Sequence, residues 1–103
     1  EFGVGCVQCT QLRLRPIRMV AICGGAGSFL LPEAIAAGAD AFVTGEMHYH
    51  DYFAHEQEIQ IAVIGHYQSE QYTYEIFKSI IEEQCEGVRC VVTSQNTNPI
   101  IYL

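Results

Sequence analysis

Tryptophan is absent and positive charge is scarce: five Lys plus Arg stand against twelve Asp plus Glu, for a net charge of −7. Gripping a phosphate backbone takes a clustered basic surface, so this balance opposes a general nucleic-acid role. Four of the five cations are Arg13, Arg15, Arg18 and Arg89, which leaves room only for a small local basic patch near the first strands. No apolar run approaches the roughly 20 residues that a membrane-spanning helix needs, and no secretory-signal pattern is visible. The cysteines do not make a framework either. Cys6, Cys9, Cys23, Cys85 and Cys90 are odd in number and irregular in spacing. Reduced thiols in a cytoplasmic compartment are the simplest expectation. Cys6-Val7-Gln8-Cys9 has the C-x2-C form without a second pair and sits in a strand-like segment, so both thiols are read as packing residues.

Apolar content, by contrast, is ample. Half of the 103 residues are hydrophobic, which predicts one globular domain with a modest core rather than disorder. Val4 to Leu12 reads as a strand ended by the Arg13-Leu14-Arg15-Pro16 turn, and Arg18 to Cys23 as a short apolar strand. A helix is expected over Phe29 to Ala37, with Pro32 tolerated in its first turn and Gly38 as a left-handed stop. Ala39 to Thr44 reads as a buried strand, about Tyr49 to Gln57 as a helix, and Gln60 to Ile64 as another strand. The longest helix is expected over Ser69 to Gln84. There Tyr72, Ile76, Phe77, Ile80 and Ile81 recur at helical spacing opposite Glu75, Lys78, Glu82 and Glu83. Val88 to Thr93 and Ile100 to Leu103 read as strands on either side of the Ser94-Gln95-Asn96-Thr97-Asn98-Pro99 turn cluster. Such alternation predicts an α/β domain with a mixed, largely parallel sheet flanked by helices. Glu1-Phe2-Gly3 reads like the end of a preceding helix, and the chain is expected to be part of something longer.

Three polar clusters each follow a short apolar strand: Gly24-Gly25-Ala26-Gly27-Ser28, the stretch from Glu46 to Asp51, and the stretch from His66 to Glu70. In a parallel sheet all three open on one edge, where α/β proteins keep their ligands. His66 and Glu70 lie four residues apart, so on a helix they share a face and could reach one divalent ion together. The competing reading is a solvated histidine beside a glutamate favoured by the helix dipole. His50 is a candidate acid–base partner to a metal-bound water. His48 and His55 read as solvated, and Asp51 as a first-turn dipole partner. Gly25, Gly27 and Ser28 could steady an anionic substrate through backbone amides. However, the loop matches neither G-x-G-x-x-G nor the P-loop, and a tight turn with Ser28 as helix cap is the simpler alternative. Tyr49, Tyr52 and Tyr67 flank the clusters as packing or pocket-lining residues.

Taken in order, several motifs carry a resemblance. They are Val20-Ala21-Ile22-Cys23-Gly24-Gly25-Ala26-Gly27-Ser28, then Ala36-Ala37-Gly38-Ala39-Asp40-Ala41-Phe42-Val43-Thr44-Gly45-Glu46 with Tyr49-His50-Asp51. Gly65-His66 with Glu70 follows, and then Asn96-Thr97-Asn98-Pro99-Ile100 with Tyr102-Leu103. The chain resembles the C-terminal part of the NGG-interacting-factor-three-like family, also called GTP cyclohydrolase 1 type 2 homologues, from about Phe2 to Leu103. The resemblance implies one half of a two-half, dinuclear-metal fold assembled as a hexameric ring. It assigns His66 and Glu70 as metal ligands, places His50 near them, and implies divalent metal ions (Zn, Mn, Fe or Ni, not distinguished) in a possible hydrolase acting on a small anionic substrate. A non-catalytic, regulatory metal-binding or interaction protein is the alternative. The N-terminal half that carries the family's other ligands is expected to be missing. Two ligands leave an ion under-coordinated, so the centre is expected to be incomplete unless another chain or segment completes it. The face left by the absent half is expected to promote association.

Overall fold

The computed structural model describes residues 2–53 and 55–103. Glu1, part of the expected preceding helix end, and Ala54, inside the expected 49–57 helix, lie outside the described residues. Two compact units divide the chain, Glu1–Glu70 and Gln71–Leu103.

The first unit is built on a four-stranded sheet of β1 (Gln8–Cys9), β2 (Val20–Cys23), β3 (Ala41–Thr44) and β4 (Gln60–Val63), in the order β1-β4-β3-β2. β2, β3 and β4 run parallel, with Ala21 opposite Phe42 and Phe42 opposite Ile61. β1 pairs antiparallel with β4. The mixed, largely parallel α/β sheet expected from the sequence is therefore present. Parallel neighbours need a crossover, and between β2 and β3 the chain makes a 3₁₀ turn at Ser28–Leu30 followed by α1 (Leu31–Ala36). Pro32 falls in the first turn of α1, where its missing N–H costs nothing. Gly38, at φ 78°, supplies the left-handed exit.

Strand register places Ala21, Cys23, Phe42, Thr44, Ile61 and Val63 on one sheet face. Leu31, Ala34 and Ile35 of α1 belong to the same core cluster, with Ala39 and Ile59. Phe42, Ile59 and Ile61 are fully buried, and each such side chain contributes about 1.5–3 kcal/mol by leaving water. On the opposite face of the edge strand β2, Val20 and Ile22 are exposed.

A buried polar knot ties β1 to β4. The Gln60 side-chain amide donates to the Thr10 carbonyl and Oγ1, both at 2.9 Å, while its Oε1 accepts the Arg13 N–H at 2.9 Å. Thr10 Oγ1 also accepts the Ile61 N–H at 3.0 Å. The Arg13 guanidinium continues the tie, donating to the carbonyls of Gln57 and Glu58. Every member is satisfied, which is the condition for keeping polar groups inside.

The second unit holds α3 (Thr73–Gln84), with a Lys78–Glu82 ion pair and a Glu82 carboxylate that also accepts the Cys90 N–H at 3.1 Å. Ile76, Phe77, Ile80 and Ile81 on α3 are exposed. Among the described residues no helix is long and apolar enough to cross a membrane.

Several boundaries differ from expectation. The Val4–Leu12 strand contracts to Gln8–Cys9, the two residues that pair with Val63 and Ala62, and beyond Cys9 the contact with β4 passes to Thr10 and the Gln60 side chain. Cys6 and Cys9 are exposed and are not packing residues. The 49–57 helix is reduced to a 3₁₀ turn at Tyr49–Tyr52, after which Phe53 is extended. Asp51 accepts the His48 N–H at 3.2 Å as part of the capping box that opens this turn, and the turn ends where Phe53 becomes extended. The Ser69–Gln84 helix is two helices, α2 (His66–Glu70) and α3, divided where the two units meet in sequence. Val88–Thr93 and Ile100–Leu103 form no strands. β-branched composition favours extension, but a strand exists only by pairing its backbone groups, and these segments have no ladder partner among the described residues.

Replacing Gln60 with Leu keeps volume but strands the Thr10 carbonyl and the Arg13 N–H, so Gln60→Leu should lower stability by about 1–3 kcal/mol in urea unfolding. A second expectation concerns Asp40, whose Oδ2 accepts the N–H groups of Arg18 and Met19 at 2.9 and 3.0 Å. These bonds hold its carboxyl below the ordinary value of 3.8. A carboxylate depressed on folding adds stability that is complete above the unfolded pKa and is lost as pH falls through the folded one. Asp40→Asn should therefore flatten the acid limb of a stability–pH profile below about pH 4.

Candidate metal centre

Because β2, β3 and β4 are parallel, the residues leaving their carboxyl ends meet on one edge. There the Gly25 carbonyl joins the ends of β2 and β3. It accepts the N–H groups of Gly27 (3.1 Å), Gly45 (2.9 Å) and Glu46 (2.9 Å), and the Thr44 hydroxyl (3.2 Å). From the other side the Gly25 N–H donates to Ser69 Oγ at 2.8 Å, and Ser69 Oγ in turn donates to the His66 carbonyl at 2.7 Å. The glycine loop, the end of β3 and α2 are thus one hydrogen-bonded assembly.

Glycine is favoured at position 25 by its positive φ and required at position 45 by space against the Gly25 backbone. A Cβ on Gly25, whose φ is +64°, would lie 2.6 Å from Glu70 Oε1 and 3.4 Å from His66 Nε2. One on Gly45 would lie 2.5 Å from Ser69 Oγ and 2.7 Å from the Gly25 carbonyl oxygen. The amides of Gly25 and Gly27 are themselves engaged, Gly27 with Thr44 Oγ1 at 3.0 Å. In this arrangement the glycines let two polar groups come close rather than presenting free N–H donors to an anion. Ser28 is not the cap expected of it: it is the first residue of the 3₁₀ turn, and Gly27 holds the N-cap position.

Gly65, at φ 98°, turns the chain from β4 into α2. His66 and Glu70 then share one helical face, and His66 Nε2 lies 3.1 Å from Glu70 Oε2. Two ligand atoms, each about 2.0–2.2 Å from a common ion, are roughly 3.0–3.5 Å apart for coordination angles between right-angled and tetrahedral. The separation of the pair is compatible with a shared divalent ion and is equally that of a direct hydrogen bond. Its donor set, one imidazole and one carboxylate, also suits such an ion.

On the other side of the ring, His66 Nδ1 lies 3.0 Å from Glu46 Oε1. The two ring nitrogens point in opposite directions, so an ion at Nε2 is out of reach of Glu46. Accordingly, no group of three or more His, Cys, Asp or Glu side chains that could hold one ion is found among the described residues. Glu46, which the sequence offered only as one of several polar residues, is the partner of His66. No spacing rule marks it, since it reaches the ring across the sheet edge from the next strand.

The other candidates stand apart. His48 and Asp51 close a capping box around the 3₁₀ turn, so Asp51 serves the backbone. His55 pairs with Glu58 at 2.7 Å. His50 is exposed, with its ring edge-on to Tyr49 at 5.6 Å, and among the described residues no ion pair joins it to a carboxylate.

An open, largely parallel sheet that collects an imidazole and two carboxylates at its carboxyl edge defines an α/β protein with its polar site at the strand ends. The chain belongs to the Duf34/NIF3 (NGG1p interacting factor 3) family, whose model matches residues 1–99. It is 36% identical over 83 residues to a GTP cyclohydrolase 1 type 2 homolog of Archaeoglobus fulgidus, covering 80% of this chain and 34% of that protein. A GTP cyclohydrolase 1 type 2 homolog of Staphylococcus epidermidis is 34% identical over 107 residues, covering 99% of this chain and 29% of its own length. A crystal structure of a Staphylococcus aureus hypothetical protein superposes with a TM-score of 0.85 at 25% identity, over 99% of this chain and 35% of that one. A Bacillus cereus protein related to NIF3 shares the fold, with a TM-score of 0.76 at 24% identity, over 99% of this chain and 29% of that one. The chain thus spans about a third of the length of these relatives.

Gly25→Ala should push Glu70 Oε1 away from the ring and strain a left-handed backbone, at about 1–2 kcal/mol. In a crystal structure of the variant, the His66–Glu70 separation should widen beyond hydrogen-bonding distance.

Proposed function

We propose that this chain supplies His66 and Glu70 to a divalent-metal site of a Duf34/NIF3 protein, and that the site serves metal-dependent hydrolysis of a small anionic substrate. The observation that carries the reading is the 3.1 Å approach of His66 Nε2 to Glu70 Oε2 at the carboxyl edge of the parallel strands. When bound there, a divalent ion would supply Lewis acidity and a water activated near neutral pH. Imidazole and carboxylate suit Zn, Mn, Fe and Ni alike. His66 would hold the ion through Nε2 and Glu70 through a carboxylate oxygen. His50 remains the candidate for carrying a proton. Three or four protein ligands are usual, so the remaining ones must come from elsewhere in a longer polypeptide or from another copy in a homo-oligomeric ring. The relatives' name, GTP cyclohydrolase 1 type 2 homolog, supports a hydrolytic reading at the level of class. The five free cysteines support a cytoplasmic setting.

A non-catalytic reading, in which the protein acts through partners, has one specific support: the family description itself names an interacting factor. The two readings diverge on whether the ligand pair matters to activity or only to assembly.

The test is zinc and manganese binding, by titration and elemental analysis, for the wild-type chain, His66→Ala and Glu70→Ala. Affinity should fall at least tenfold in each variant. The pair is exposed, His66 at 44% and Glu70 at 52%, so each ion pair contributes about 0–1 kcal/mol and neither substitution should unfold the protein. Equal and substantial metal content in all three chains, each folded by circular dichroism, would exclude His66 and Glu70 as ligands.

A further inference from the structure

We infer that Glu46 is the positioning residue for His66, accepting the Nδ1 proton so that Nε2 is left free to face Glu70 and a metal ion. The inference rests on the metal reading of His66 and extends it to a residue that reading leaves without a role.

The geometry is specific. Glu46 Oε1 lies 3.0 Å from Nδ1, and Glu70 Oε2 lies 3.1 Å from Nε2, on the opposite side of the same ring. A neutral imidazole carries one N–H, and the hydrogen bond made by one nitrogen decides whether the other is a free donor of electrons. Carboxylates that accept the remote N–H of a metal-binding histidine fix both its tautomer and its ring orientation. Glu46 is also held to that task from behind. Its own N–H donates to the Gly25 carbonyl at 2.9 Å, and Gly45 beside it donates to the same oxygen. The backbone that presents the carboxylate is therefore bonded to the loop that Ser69 joins to α2. Thr44, immediately before Gly45, is buried and bonded to the same loop, so β3 delivers Glu46 from a fixed end. Glu46 cannot itself be a ligand of an ion at Nε2, because the ring lies between them.

The role predicts a signature that simple surface pairing would not give. In the Glu70→Ala background, where the rival acceptor at Nε2 is gone, nitrogen-15 NMR of the metal-free, histidine-labelled chain at mildly alkaline pH should show His66 mainly as the Nδ1–H tautomer. Adding Glu46→Ala should return it toward the Nε2–H tautomer that an unconstrained imidazole side chain prefers. Glu46→Gln should preserve Nδ1–H, since its amide oxygen still accepts. With Glu70 intact, Glu46→Ala should weaken zinc binding about 10–100-fold, and Glu46→Gln should retain most of the affinity. An unchanged tautomer in Glu46→Ala overturns the inference, as does a loss of zinc affinity in Glu46→Gln equal to that in Glu46→Ala. Failure of the metal reading is distinguishable: His66→Ala would then leave zinc affinity intact, while the tautomer measurement would still decide whether Glu46 sets the ring.

Discussion

The carbonyl oxygen of Gly25 is the point at which the ends of β2 and β3 are joined, and through Ser69 the start of α2 is joined to them. Four donors converge on it, from Gly27, Gly45, Glu46 and Thr44. Parallel strands bring their carboxyl ends to one edge, but that alone leaves three loops free to diverge. Here each loop spends a backbone or hydroxyl group on its neighbour, so buried polar groups are satisfied and the edge acquires a fixed shape at the same time. The absence of a side chain at Gly25 and Gly45 is what lets the loops approach to hydrogen-bonding distance. The His66–Glu70 approach then follows from helix geometry once Gly65 has turned the chain.

Much of this was legible in the residues, and the part that was not has physical causes. The three parallel strands announce themselves as short apolar runs followed by glycine-rich or polar stretches, and the structure keeps all three. His66 and Glu70 come together because their contact is local, four residues along one helix. Contacts between strand ends are a different matter. Glu46 meets His66 across 20 positions of sequence, and the Gln60 side chain meets Thr10 across 50. Neither has a periodicity to reveal it, because the register of the sheet sets both. Segments 88–93 and 100–103 fail in the opposite sense. Their Val and Ile content favours extension, but composition cannot report whether a partner edge exists. The 49–57 helix opens with the expected first-turn chemistry at His48 and Asp51 but ends at Phe53, whose backbone turns extended, and a periodicity count does not mark that point.

The exposure of the His66 cluster constrains how it should be understood. Glu46, His66 and Glu70 are between 44% and 58% exposed. Ion pairs in such water-rich surroundings add little to stability. Yet two glycine constraints, a serine bridge and the carbonyl of Gly25 all act to hold the region in place. That expenditure of backbone precision around groups that contribute so little to folding is the pattern expected where chemistry, not stability, depends on geometry.

Two carboxylates flanking one imidazole have a further consequence for how a cation would be received. The carboxylates concentrate negative charge at the edge, and on a chain with seven more acids than bases nothing nearby offsets it wholesale. Such an edge attracts a divalent ion before any bond forms. Under the metal reading, the ion would sit between His66 Nε2 and Glu70, while the pairing of Nδ1 with Glu46 would persist. The change on binding is then confined to one side of one ring, and the hydrogen-bonded strand ends need not move. On that reading the groups this chain contributes would be preorganised, and the cost of completing the coordination would fall on whatever supplies further ligands.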